Sequence, residues 1–176
     1  MNIINNGFIT LNNIKYNYKI FDTIGLIDLI NHDKKFTKMF EKYMQDYRKY
    51  SNLNISKLVK EWFNHKSDDI ITYFIIYKND VIISTLKFNY NLDNKYGFIS
   101  MVYTNPEYRG QKICQINVEY IINLTKKYIK TYELTVDIDN ISALKCYENN
   151  GFKIVKKREY RTSKKEYYLM KLIIVP

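Results

Sequence analysis

The sequence predicts a mixed α/β fold: a central, mostly antiparallel sheet of six or seven strands flanked by about four helices. Three observations predict it. Between residues 70 and 103, three runs rich in β-branched and aromatic residues follow one another across short polar turns, the pattern of an antiparallel meander. Beyond Pro106 the apolar period lengthens from two to between three and four, and it returns to two at Tyr132. A helix between two strands is a crossover long enough for parallel pairing, so the sheet is mixed. Finally, 176 residues, 46% hydrophobic and 26% charged, suit one core, and residues 1–176 are read as a single domain.

The elements follow in order. Ile14, Tyr16, Tyr18 and Ile20 alternate with Lys15, Asn17 and Lys19, which marks a half-buried strand over 14–20. Asp22 is placed to cap a short helix through Ile30. Phe36, Met39, Phe40, Tyr43, Met44, Tyr47 and Tyr50 recur at three- and four-residue spacing, one face of a second helix. A third starts at Ser56 and turns Leu58, Val59 and Trp62 to the core. The meander strands cover 70–77, 81–90 and 96–103. Pro106 ends the last of them, and Ile113, Ile116, Tyr120, Leu124 and Tyr128 mark a face of a long helix. A strand over 132–138 precedes a helix with Asn140 as N-cap and Gly151 as a left-handed C-terminal cap. Strands over 152–161 and 166–175 close the chain.

Composition excludes several classes of function. No stretch approaches the roughly 18 uncharged apolar residues of a membrane span, and MNIINNGFIT lacks a basic region followed by an apolar run, so a cytoplasmic protein with no membrane partner is expected. Cys114 and Cys146 sit in no CxxC pair and beside no histidine at ligand spacing. They are read as plain small residues, with no disulfide framework and no metal site. The net charge of +10 favours anionic partners without choosing among them.

Two segments carry chemistry. Over 102–114, VYTNPEYRGQKIC, a strand ends, the chain turns through Pro106 and Gly110, and a helix begins. The unpaired N–H groups and positive dipole end of that helix, with Arg109 and Lys112, suit a diphosphate. Over 140–152, NISALKCYENNGF, Ala143 and Tyr147 are four apart and share a helix face, a small residue beside a phenol able to donate a proton.

Together, in this order, the two segments resemble the GNAT superfamily of N-acetyltransferases. The family's R/Q-x-x-G-x-G/A turn and its later N-x-x-A-x-x-x-Y-x-x-x-G-F segment correspond to the run from Arg109 and to Asn140, Ala143, Tyr147, Gly151 and Phe152. The resemblance implies acetyl-CoA as cosubstrate, no metal, and a primary amine as acceptor. It implies a pantetheine arm along Met101, Val102, Tyr103 and Thr104, and a diphosphate on Arg109, Gly110, Gln111, Lys112, Ile113 and Cys114. Asn140, Ala143 and Tyr147 complete the cofactor contacts, and Tyr147 is implied as the general acid toward the departing thiolate. Lys112 stands at the family's central glycine and Cys114 at its last Gly/Ala. A lysine already entering a right-handed helix needs no positive φ there, and its charge offsets phosphate.

No base is assigned. Glu107, Glu119, Asp137 and Asp139 lack distinguishing context, and His32 and His65 fall in helices where a lone histidine is ordinarily a surface or packing residue. The alternative readings are an acyl-CoA-binding module of the same fold without turnover and, ranked last, a basic nucleic-acid-binding protein, for which no groove-reading motif is present. The surplus positive charge disfavours polyamines and leaves amino sugars, peptide N-termini, lysine side chains and small metabolites as acceptors. Monomer and homodimer remain equally open.

Overall fold

The computed structural model describes residues 3–11, 13–48 and 69–175. Two antiparallel strands open the chain, β1 (Ile3–Leu11) and β2 (Ile14–Asp22). β1 is absent from the sequence expectations because Asn5, Asn6 and Gly7 break its alternation. It is an edge strand, paired with β2 alone, and residues 5–10 are exposed or half-buried. Asn13 takes the left-handed φ of 63° at the turn, a conformation asparagine tolerates. On β2 the predicted Tyr16, Tyr18 and Ile20 are buried, and Phe21 is buried too, against the opposite face of the sheet.

Asp22 caps α1 (Thr23–His32) as expected, its carboxylate accepting the Gly25 N–H at 2.7 Å. Asp33 does the same for α2 (Lys34–Arg48), accepting from Lys35 and Phe36. Phe36, Met39, Phe40, Tyr43 and Met44 of α2 are buried. The helix expected from Ser56, with Tyr50 and His65, lies outside the described residues.

The meander is β3 (Ile70–Lys78), β4 (Val81–Asn91) and β5 (Tyr96–Thr104), each end within a residue of expectation. A single 3-10 turn, Pro106–Tyr108, leads to α3 (Ile113–Thr125). Then follow β6 (Thr131–Asp137), α4 (Ile141–Asn149), β7 (Lys153–Glu159) and β8 (Glu166–Ile173). α3 is shorter than predicted, and its buried stripe is Ile113, Asn117, Val118, Ile121 and Ile122, while Leu124 and Tyr128 are exposed. The reason is geometric. A strict four-residue step turns about 40° past a full circle each time, so the stripe read from Ile116 onward walks off the core.

Among the described residues the sheet has eight strands, ordered β1-β2-β3-β4-β5-β6-β8-β7, of which only β5 and β6 run parallel. One core lies under α1 and α2 and contains Phe21, Leu26, Phe40, Tyr43 and Tyr103. The other lies under α3 and α4 and contains Tyr16, Phe74, Val118, Tyr132, Tyr147 and Met170. Among the described residues no helix is long and apolar enough to cross a membrane.

Candidate functional site

β5 and β6 pair over four residues only, from Tyr96↔Thr131 to Ile99↔Leu134, while β6 stays paired with β8 as far as Asp137. The strands part where β5 bulges. Thr85 faces Tyr103 and Lys87 faces Ser100, so Met101 and Val102 together oppose the single Leu86. Met101 takes φ 50°, the left-handed conformation that glycine often supplies at the first position of a bulge. A side chain there costs about 1–2 kcal/mol. Side chains of β4 hold the distortion: Ser84 Oγ donates to the Tyr103 carbonyl at 2.6 Å, and Thr85 Oγ1 lies 3.0 Å from the Met101 carbonyl. Every peptide bond among the described residues is trans, so the Val102 N–H, in the same plane as the Met101 carbonyl, points the opposite way, away from β4. Of the residues expected along the pantetheine, Val102 packs toward α3 and α4 and Met101 toward α2. Tyr103 sends its ring to α2, with centroids 5.0 Å from Tyr43 and 6.1 Å from Tyr47, so only its backbone borders the gap.

The turn that follows is anchored by Asn105, whose N–H donates to Ile83 O at 2.8 Å and whose Oδ1 accepts the Glu107 N–H. Arg109 Nε donates to Thr104 O at 3.3 Å, which sets the exposed guanidinium beside the strand end. Gly110 has φ 77°, and a methyl group added to it meets no atom within 4 Å. Its role is therefore conformational rather than spatial. Lys112 corrects the sequence reading: it is left-handed at φ 60°, not yet in the helix, and serves as the N-cap of α3 with no side-chain capping bond. The first N–H groups of α3 are thus uncapped by any side chain and, with Arg109 and exposed Lys112, form a positive concentration at the turn.

α4 stands beside this turn. Asn140 caps it, its Oδ1 accepting the Ala143 N–H at 3.2 Å, and Ala143 is half-buried against the core. Tyr147 is 6% exposed, its ring edge-on to Phe152. Burial pushes its phenol well above the ordinary tyrosine range, and Tyr47 of α2, across the sheet, adds to the shift. The expectation of two unlinked cysteines is overturned: Cys114 and Cys146 are joined in a disulfide with Cα atoms 6.2 Å apart. They lie 32 residues apart in no motif, and only the packing of α3 against α4 brings them together. Asn150 Nδ2 adds a second tie, donating to Gln115 O at 3.2 Å. Cys114 is therefore a link between helices, and Ile113, 1% exposed, offers a ligand its backbone only.

No carboxylate considered as base is buried: Glu107, Glu119 and Asp139 are exposed, and half-buried Asp137 is engaged by the Tyr160 hydroxyl. His32 is a surface residue paired with Asp28. No group of three or more His, Cys, Asp or Glu able to hold a metal occurs among the described residues. Sequence reasoning missed Tyr43, Ser84, Thr85 and Asn117, which surround the bulge. The signal was there, as Ser84-Thr85 interrupts the apolar run of β4 and Asn117 sits on the buried stripe of α3.

The sequence model of the acetyltransferase (GNAT) family matches residues 36–152. No curated protein matches the chain by sequence. Among solved structures, the chain is similar to an acetyltransferase of the GNAT family from Streptococcus pneumoniae, with TM-score 0.61 and 14% identity over 90% of this chain and 99% of that one. It is similar to ribosomal-protein-S18-alanine N-acetyltransferase from Escherichia coli, with TM-score 0.56 and 20% identity over 71% and 80%. It also resembles spermidine N-acetyltransferase from Vibrio cholerae, solved with CoA and spermine, with TM-score 0.58 and 12% identity over 89% and 95%. At these identities the structures speak for the fold, and the family match speaks for descent. The parted strands, the bulge, the uncapped α3 turn and the sequence match agree: the chain belongs to the GNAT acetyltransferase family.

Proposed function

We propose that this protein is an N-acetyltransferase that moves an acetyl group from acetyl-CoA to a primary amine by direct attack, with Tyr147 as general acid. The observation that carries the reading is a bulged strand that parts from its parallel neighbour ahead of an uncapped helix turn, with buried Tyr147 on the helix that the Cys114–Cys146 disulfide ties to that turn. The residues fit the cosubstrate. Backbone groups of Met101, Val102, Tyr103 and Thr104, which β6 leaves unpaired, hydrogen-bond the pantetheine arm as an added strand would. Gly110, Gln111, Lys112, Ile113 and Cys114 present backbone N–H groups, and Arg109 and Lys112 full charges, to the diphosphate.

The Val102 N–H, aimed away from β4, is the donor we assign to the thioester oxygen, where negative charge gathers as the amine attacks. Tyr147 gives its proton to the leaving sulfur, and the proton that the attacking nitrogen sheds passes to solvent, from which the phenolate is reprotonated. A phenol with a pKa above its ordinary 10.0 is protonated at neutral pH, as a general acid must be. Holding both reactants in register supplies about 7–11 kcal/mol of the barrier reduction, so no covalent enzyme intermediate is needed. An amine is the acceptor class because the relatives from E. coli and V. cholerae are named for amine substrates. We place the reaction in the cytoplasm, where acetyl-CoA is a metabolite.

Release of CoA thiol from acetyl-CoA across a panel of amines, with thermal unfolding recorded in parallel, tests this. Acetyl-CoA at about 100 times its dissociation constant stabilises the fold by roughly 2.7 kcal/mol. Stabilisation without turnover on any amine leaves a binding module of the same fold, and no stabilisation at all overturns the reading.

A further inference from the structure

Five polar residues are buried among the described residues, namely Thr72, Ser84, Thr85, Asn105 and Asn117; three of them, Ser84, Thr85 and Asn117, surround the β5 bulge, and Asn105 anchors the turn just beyond it. Buried polar groups cost stability unless they are hydrogen-bonded, so their concentration at one distortion needs a reason. The bonding pattern supplies it. A carbonyl oxygen can only accept, so the single hydrogen of Ser84 goes to Tyr103 O at 2.6 Å and that of Thr85 to Met101 O at 3.0 Å. Ser84 then accepts from behind, while Thr85 Oγ1 is backed by the Tyr43 hydroxyl, a pair in which either oxygen can donate. Asn117 Nδ2 of α3 stands 2.7 Å from Ser84 Oγ, and the Tyr43 hydroxyl of α2 stands 3.0 Å from Thr85 Oγ1. Asn117 commits its amide to this bond while its Oδ1 is buried without a partner. The bulge is therefore gripped from both faces of the sheet, once from the helix that begins at the diphosphate turn and once from the helix on the opposite side.

We propose that Ser84 and Thr85, backed by Asn117 and Tyr43, are positioning residues for acetyl transfer. They lock the Met101–Val102 and Tyr103–Thr104 peptide planes, so that the Val102 N–H meets the reacting carbonyl without reorganising. This rests on the functional reading above. The left-handed Met101 is a strained conformation that persists because its surroundings over-determine it, and the two hydroxyls are the groups in contact with its peptide and its neighbour's.

The test compares Thr85→Val, Thr85→Ser and the double variant Thr85→Val/Tyr43→Phe. The double variant removes both hydroxyls together, so neither is stranded by the other's loss and the Met101 carbonyl alone gives up the Thr85 contact. Loosening a preorganised donor acts on the transition state, so kcat of Thr85→Val and of the double variant is expected to fall about tenfold or more. The acetyl-CoA dissociation constant stays at its wild-type value, and Thr85→Ser, which keeps the hydroxyl, restores kcat. Wild-type kcat in the double variant overturns the clamp. So does a Thr85→Ser enzyme as slow as Thr85→Val, or an equal loss in binding and turnover. Failure of the wild-type protein to turn over any amine overturns the functional reading separately. The clamp is then read from amide hydrogen exchange at Val102: faster exchange in the double variant upholds it, and unchanged exchange overturns it.

Discussion

At the bulge, Met101 sits at φ 50° with its carbonyl held by Thr85 and the next but one held by Ser84, both hydroxyls buried and both supported from a helix. At the turn, Gly110 and Lys112 take comparable left-handed angles, yet both are exposed and no side chain caps the helix they precede. The two ends of one gap are thus organised differently. The bulge end is held by buried hydrogen bonds, the kind of preorganisation that charge stabilisation in a transition state requires. The end near Lys112 offers uncapped N–H groups and exposed cations, which suit an anion that brings its own order. Changes at the first end should therefore alter the chemical step, and changes at the second should alter affinity.

Tyr147→Phe probes the rigid end most sharply. If Tyr147 is the general acid proposed above, its removal lowers kcat by about 10²-fold or more. The acetyl-CoA dissociation constant should hold, since the ring stays against Phe152. Steady-state kinetics with a separate binding titration checks both. Because burial raises the phenol above 10.0, it is protonated at every lower pH, and loss of the acid should bring no fall in kcat on the alkaline side until the pH exceeds 10. A fall centred near neutrality would assign that limb to another group.

The Cys114–Cys146 disulfide is where the comparison can break, because it ties the second residue of the phosphate-end helix to the neighbour of Tyr147. Reduction, or Cys114→Ser with Cys146→Ser, is expected to lower unfolding stability by about 2–4 kcal/mol, the usual value for a loop of this size. Denaturant titrations with and without a dithiol measure it. If the disulfide couples the two ends, kcat and acetyl-CoA affinity fall together. If they stay unchanged, the Asn150 to Gln115 bond and the packing of α4 suffice to place Tyr147.

Local signals carried much of this architecture. The meander, the caps at Asp22 and Asn140 and the left-handed Gly151 follow from short-range chemistry, and each is found where the sequence put it. The family turn and the Tyr147 segment were legible for the same reason, being continuous motifs. What escaped is nonlocal or contrary to propensity. β1 has its alternation broken by Asn5, Asn6 and Gly7 and is placed by pairing with β2, and the disulfide depends on how α3 lies against α4. A left-handed Met101 is conformationally disfavoured and exists through Ser84 and Thr85, residues on another strand. The Lys112 conformation escaped because the helix start was placed at the motif rather than one residue later, at Ile113.

Lys112→Gly tests the soft end with the smallest expected effect. A left-handed lysine costs about 1–2 kcal/mol, whereas the greater unfolded freedom of glycine costs about 0.5–1 kcal/mol. The net change is a gain of up to about 1.5 kcal/mol in unfolding stability without ligand. The same substitution removes an ammonium beside the proposed diphosphate, so acetyl-CoA affinity should fall, and fall less at high salt because the charge is exposed and screened. With the Ser84 and Thr85 contacts untouched, kcat at saturating acetyl-CoA should match wild type. Denaturant unfolding, binding at two ionic strengths and saturated turnover read these separately. A loss in kcat equal to the loss in affinity would mean that the two ends of the gap share one conformational equilibrium, and the contrast between a rigid acyl end and a ligand-ordered phosphate end would be wrong.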